Sequence, residues 1–144
     1  RYLRNKSPVG VWKVDIWKQI LGQYPSAEKV ACNLECYYVE ERRYLVFWDF
    51  MITHASMNDV LECLHKETCG SSFSNWRTFI VVGPTDDFFQ KGELFYYDGE
   101  RTFVVFLLID KNKNRIFMND SWIFALGCNF KKHVRRIARI LNAK

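Results

Sequence analysis

Residues 44–53, YLVFWDFMIT, are apolar at nearly every position, so an extended chain there needs cover on both of its faces. A strand of that kind is a central strand, and the rest of the chain has to supply its neighbours and its covering layers. Just upstream, residues 29–39 alternate: Val30, Cys32, Leu34, Cys36 and Tyr38 point one way, and Asn33 and Glu35 the other. The polar Glu40, Glu41, Arg42 and Arg43 between the two runs read as a hairpin connection.

Helical periodicity brackets this hairpin. Upstream, residues 8–14 read as a short extended segment, then Asp15 as an N-cap. Ile16, Trp17, Ile20 and Leu21 share one face of a short helix that stops at Gly22. Downstream, Ser56 is placed to cap a second helix, with Asp59 three residues on as an acidic variant of the capping box. Met57, Val60, Leu61 and Leu64 form its apolar stripe, and Gly70 is a natural stop. Residues 71–75 are then a loop, 76–82 a strand ended by Gly83 and Pro84, and 85–91 a single helical turn closed by Gly92.

The last third reads as a meander. Strands at 93–97, 101–109 and 115–118 are joined by an Asp98-Gly99 turn and a polar turn at 110–114. A short apolar segment follows at 122–126, a break at Gly127 and Cys128, and a final helix capped by Asn129. The expectation is one α+β domain over residues 1–144, with 1–7 mobile. Its core is a single mostly antiparallel sheet, the hairpin plus the three-stranded meander, packed by about three helices.

Charge is concentrated at one end. The chain has 21 Lys and Arg against 16 Asp and Glu, and every acid lies at or before Asp120. Without the six basic residues of 129–144 the balance is 15 to 16. On the terminal helix Phe130, Val134, Ile137 and Leu141 form an apolar stripe opposite Lys131, Lys132, Arg135, Arg136 and Arg139. No acid relieves these charges at helical spacing, and Lys131 and Lys132 sit in a first turn that the helix dipole disfavours for cations. An anionic partner, either nucleic acid or an acidic protein face, would offset that repulsion, so this face is the expected contact surface. A docked structural helix with an unusually basic outer face accounts for the same pattern.

Five Cys, an odd number, together with no secretory signal and no apolar run long enough to span a bilayer, favour reduced thiols in the cytoplasm and no membrane. The chain opens on Arg1, as one trimmed, processed or cut from a longer protein would, so its start says little about secretion. Of the Cys and His, only Cys32 and Cys36 have the close spacing of a zinc pair, and they sit mid-strand; no metal and no cofactor is expected. His54, at a strand end with Asp49 on that strand, is the best general acid or base. A metal-dependent nuclease of the restriction type would use an acid followed by acid-x-Lys; Asp98 and Asp110 bracket a strand, but the lysine spacing is wrong and both read as turn residues. Asp86 and Asp87 form a second acidic pair, and glycine-rich phosphate loops are absent from the sequence.

With no catalytic set emerging, the function expected is a small cytosolic, non-enzymatic protein-binding module. Its general makeup is similar to that of small inhibitors such as immunity proteins that neutralise a cognate toxin. Aromatic residues are 17% of the chain, a surplus suited to a contact surface, with Trp76, Tyr96 and Tyr97 as aromatic contacts. The alternative is a nucleic-acid-binding domain using the basic terminal helix. A second is a small hydrolase or nuclease using His54. Nothing in the pattern speaks to oligomeric state.

Overall fold

A computed structural model of the chain describes residues 11–31, 33–40, 42–68, 77–99, 102–110, 112–113, 115–119, 135–137 and 139–140. The first half of the doubly apolar run becomes an inner strand, which ends at Phe47 and not at Thr53. β2 (Glu35–Glu40) and β3 (Arg43–Phe47) form the expected antiparallel hairpin. Tyr44 and Val46 are buried on one face of β3 and Leu45 and Phe47 on the other. Past Phe47 the chain stays tied to β4 (Arg77–Pro84): Trp48 N–H donates to the Val82 carbonyl at 2.9 Å and Ile52 N–H to the Pro84 carbonyl at 2.8 Å.

The sheet is mixed, and this corrects the mostly antiparallel expectation. Its order is β1 (Glu28–Lys29), β2, β3, β4, β6 (Thr102–Asp110), β5 (Phe95–Tyr97), with β7 (Arg115–Phe117) also on β6. The β3–β4 and β4–β6 pairs are parallel. α2 (Met57–Thr68) is the reason for the first: a helix between two strands carries the chain back to the end where it started, as a parallel neighbour requires. The three C-terminal strands keep their antiparallel pairings but are not a simple meander. β4 occupies one edge of β6 from Thr102 to Ile109. β5 and β7 therefore share the other edge, β5 at 103–105 and β7 at 108–110.

Three boundaries also move. Residues 29–39 are not one strand: β1 turns back on β2, with Val30 N–H donating to the Cys36 carbonyl at 2.9 Å. Leu34 and Cys36 still share a face, so the alternation was right and the continuity was not. α1 (Val11–Gly22) begins ahead of Asp15, so the extended segment expected over 8–14 is helical from Val11. The helical turn expected at 85–91 is a 3-10 turn at Lys91–Leu94, because the Glu93 carboxylate reaches back to accept the Gln90 N–H at 2.8 Å.

Helices lie on both faces. On face one, Ile16 and Ile20 of α1 and Ile137 of the tail pack on Leu45, Phe47, Ile80, Val82, Val105 and Leu107. On face two, Val60 and Leu64 of α2 join Cys36, Val46, Trp48, Ile52, Val81 and Phe106. Gly83 lets the 48–52 segment lie against β4: a Cβ there would meet Ile52 Cδ1 at 2.7 Å and Trp48 Cβ at 3.1 Å. No described helix is long and apolar enough to cross a membrane. The expectations for 1–7, 71–75, 122–126, Gly127, Cys128 and Asn129 lie outside the described residues.

Candidate functional site

His54 sits where β3 hands over to α2. Ser56 immediately precedes α2, as expected, but the reciprocal pairing runs back to Thr53. Ser56 N–H donates to Thr53 Oγ1 at 3.3 Å, and Thr53 N–H donates to Ser56 Oγ at 2.8 Å. That is a reciprocal box between Thr53 and Ser56, in place of one between Ser56 and Asp59. His54 thus lies in the turn that leads into α2, past the carboxyl end of β3.

Both ring nitrogens are engaged. Nδ1 lies 2.7 Å from Asp87 Oδ2 and Nε2 lies 2.9 Å from Glu93 Oε2. The ring stacks on Phe89 at 4.2 Å between centroids and 22° between planes. Asp87 is fixed in turn. Its Oδ2 accepts the His54 backbone N–H at 3.2 Å, its Oδ1 accepts the Phe88 N–H at 2.9 Å, and its own N–H donates to Thr85 Oγ1 at 3.0 Å. The Thr85 hydroxyl closes the circuit by donating to the Ile52 carbonyl at 2.6 Å in the protein interior. The Asp87 hydrogen bond, joined by that of Glu93 and both negative charges, holds the His54 pKa above its ordinary value. The same contacts lower Asp87, and the Gln90 N–H followed by His54 lowers Glu93. An imidazolium donating both N–H groups to carboxylates has no nitrogen left to take a substrate proton. Asp49, half-buried just past β3, is not among its partners.

Other acids are spent on structure. Asp98 and Asp110 stand at opposite ends of β6, about 26 Å apart at strand rise, too far to share a metal. Asp110, buried, accepts the Lys113 N–H and pairs with Arg115 at 3.0 Å. Burial opposes that ionisation, but the Arg115 and Lys113 contacts win and its pKa is lowered. Among the described residues no group of three or more His, Cys, Asp or Glu converges to hold a metal ion. Cys36 is buried in the face-two core, which pushes its thiol up to about 12, while Cys63 is half-buried; Cys32 and Cys69 lie outside the described residues.

An open cleft lies elsewhere, and its origin is geometric. A path of six strands is roughly 24 Å wide, whereas one helix covers about 10 Å. Face one carries two helical segments; among the described residues face two carries α2 alone. Between α2 and the β4–β6–β5 half of the sheet runs a cleft of about 850 Å³. Leu61 and Leu64 of α2 with Phe79 and Val104 of the sheet make its apolar base. Asn58, Glu62, His65 and Lys66 line the helix side, and Arg77, Tyr96, Asp98 and Thr102 the sheet side. Arg77 crosses the base, its Nε–H donating to Thr102 Oγ1 at 3.0 Å and its guanidinium 5.3 Å from the Phe79 ring centre. Tyr96 stands at the mouth, 41% exposed.

Of the aromatic contacts expected, Tyr96 is thus in the cleft. Tyr97, also exposed, faces the other side of the sheet and stacks on Phe103 at 4.6 Å; Trp76 lies outside the described residues. The basic tail is divided. Arg135 and Arg139 are exposed, Ile137 is buried in the core, and Arg136 folds inward over the Tyr24 ring at 5.3 Å. Lys131 and Lys132 lie outside the described residues. What sequence reasoning missed is the cleft wall, although Asn58, Leu61, Glu62 and His65 at helical spacing already trace a second stripe along α2. Compared with known protein families, with curated proteins and with solved structures, the chain matches none.

Proposed function

We propose that this protein is a non-enzymatic binding module that captures a segment of a protein partner in the cleft between α2 and the β4–β6–β5 half of the sheet. The observation that carries this reading is the makeup of the cleft: an apolar base of Leu61, Leu64, Phe79 and Val104 beneath a rim with an exposed tyrosine and charges of both signs. Glu62 and Lys66 on the helix side and Asp98 on the sheet side give the cleft walls both signs of charge, while Arg77 lies across the base. A nucleic-acid groove needs one sign of charge along its length, whereas an apolar centre within a mixed polar rim is how protein interfaces are built. Tyr96 is the natural anchor, since tyrosine offers large contact area with little rotamer freedom to lose. The inward turn of Arg136 weakens the case for a continuous basic stripe on the tail.

A photoreactive phenylalanine analogue installed at Tyr96, and separately at the exposed Lys18 of α1, tests the reading in cells that make the protein. A discrete polypeptide attached at position 96 and not at 18 is the expected result. With that partner purified, Tyr96→Ala should weaken binding by about tenfold in calorimetry. Equal labelling from both positions, or attachment of nucleic acid alone, would overturn it.

A further inference from the structure

The His54 cluster joins three separate pieces of chain at one exposed ring. His54 belongs to the turn that leads into α2, Asp87 to the connection leaving β4, and Glu93 to the 3-10 turn that leads into β5. Asp87 and Glu93 are both carboxylates, so without a cation between them they would repel. The imidazole answers this only in its protonated form, when each ring nitrogen carries a hydrogen to donate. A neutral ring keeps one N–H and turns a lone pair toward the second carboxylate.

We propose that His54, Asp87 and Glu93 form a pH-operated clasp that fastens the start of α2 to the β4–β5 connection and so fixes where Tyr96 stands at the mouth of the cleft. The mechanical link is short. Glu93 is followed by Leu94, buried at 1% exposure, then by Phe95, packed on face one, and then by Tyr96. Releasing Glu93 therefore loosens the start of β5, where Phe95 and Tyr96 pair with Val105 and Val104. Phe89, buried beneath the imidazole, holds the ring in plane and favours its cationic form.

The sign follows from the groups involved. The charged groups facing the ring are Asp87 and Glu93, and Lys91 stands on the same 3-10 turn as Glu93. The His54 pKa is raised, so its contribution is whole below about 6.5 and is lost as pH rises through the elevated value. The carboxylates are lowered, so the acid limb lies below their ordinary range, and the clasp is closed between the two limits. The device stands whether or not the cleft captures a partner, because its state is read on the isolated protein.

The test is an NMR titration of the free protein carrying 3-fluorotyrosine, with the His54 ring followed beside the Tyr96 fluorine and the amide protection factors of Leu94, Phe95 and Tyr96. His54 should titrate above its ordinary value, and the Tyr96 signal should move with the same midpoint. Protection at the three amides should fall about two- to fivefold across it, the scale of breaking exposed ion pairs. Glu93→Gln should lower the His54 midpoint and uncouple Tyr96 from it, with the far-UV spectrum unchanged. A His54 that titrates at its ordinary value, or a Tyr96 resonance with no inflection at the His54 midpoint, would overturn the proposal. His54→Gln guards against a fold effect, with His65, which lines the same cleft as Tyr96, replaced by Gln in both proteins: Tyr96 must then follow pH only where His54 is present, and an inflection that persists without it counts against the clasp.

Discussion

Gly83 shows how much a single position can decide. Its φ is not in the left-handed region, so turn geometry is not its reason for being there; the reason is space. The 48–52 segment passes so close that an added methyl would press on Ile52 and on the Cβ of Trp48, both buried. Gly83→Ala should destabilise the fold by about 1–3 kcal/mol, the usual cost of overpacking, seen as a lower urea midpoint with an unchanged slope. Gly99 differs: φ is +85° and nothing stands within 4 Å, so conformation alone holds it there. In the sequence both glycines read as turn punctuation. Only Gly99 is that, since the Trp48–Ile52 approach depends on a neighbour more than thirty residues back. The same distance hid the partners of His54. The residue itself stood out at a strand end, but Asp87 and Glu93 are 33 and 39 residues on. They become neighbours only once β3 and β4 are known to be parallel, so that both carboxyl ends open on one side.

At the scale of elements, local pattern and long-range pairing were legible to different degrees. The alternation of 29–39 and the doubly apolar run after it gave the β2–β3 hairpin but not the far ends of its strands, because burial on one or two faces is written in the side chains. Which strand lies beside which is not written there. β4 has the composition of any buried strand, and its insertion between β3 and β6 is fixed by what α2 permits. The start of α2 offers a direct check. If the box joins Thr53 and Ser56, Thr53→Ala and Ser56→Ala should each cost about 1 kcal/mol in chemical denaturation. Asp59→Ala, which the box does not use, should cost only a few tenths. The reverse order would restore the box between Ser56 and Asp59. The candidate site was legible in part for the same reason: Tyr96 was visible as an aromatic in a strand, but the cleft beside it comes from a helix too narrow for its sheet.

Among the described residues, one seven-stranded sheet carries two hydrophobic layers that share the same three inner strands. Neither layer can melt while the other keeps β3, β4 and β6 in place. Unfolding by urea should therefore follow a single transition, with far-UV dichroism and tryptophan fluorescence tracing coincident curves; two separated midpoints would show that the layers are independent. The parallel pairing of β4 also has a consequence for how the chain is made. β4 meets β3 only across α2, and its second neighbour, β6, ends at Asp110. During synthesis from the N-terminus, the strand RTFIVVGP has one bare edge until β6 has emerged. β5, the strand made in between, cannot cover that edge, because it pairs with β6. For that interval the nascent protein carries, as an open template, a strand whose last six residues are all buried in the finished fold, and its yield in the cell should depend on chaperones that shield such edges.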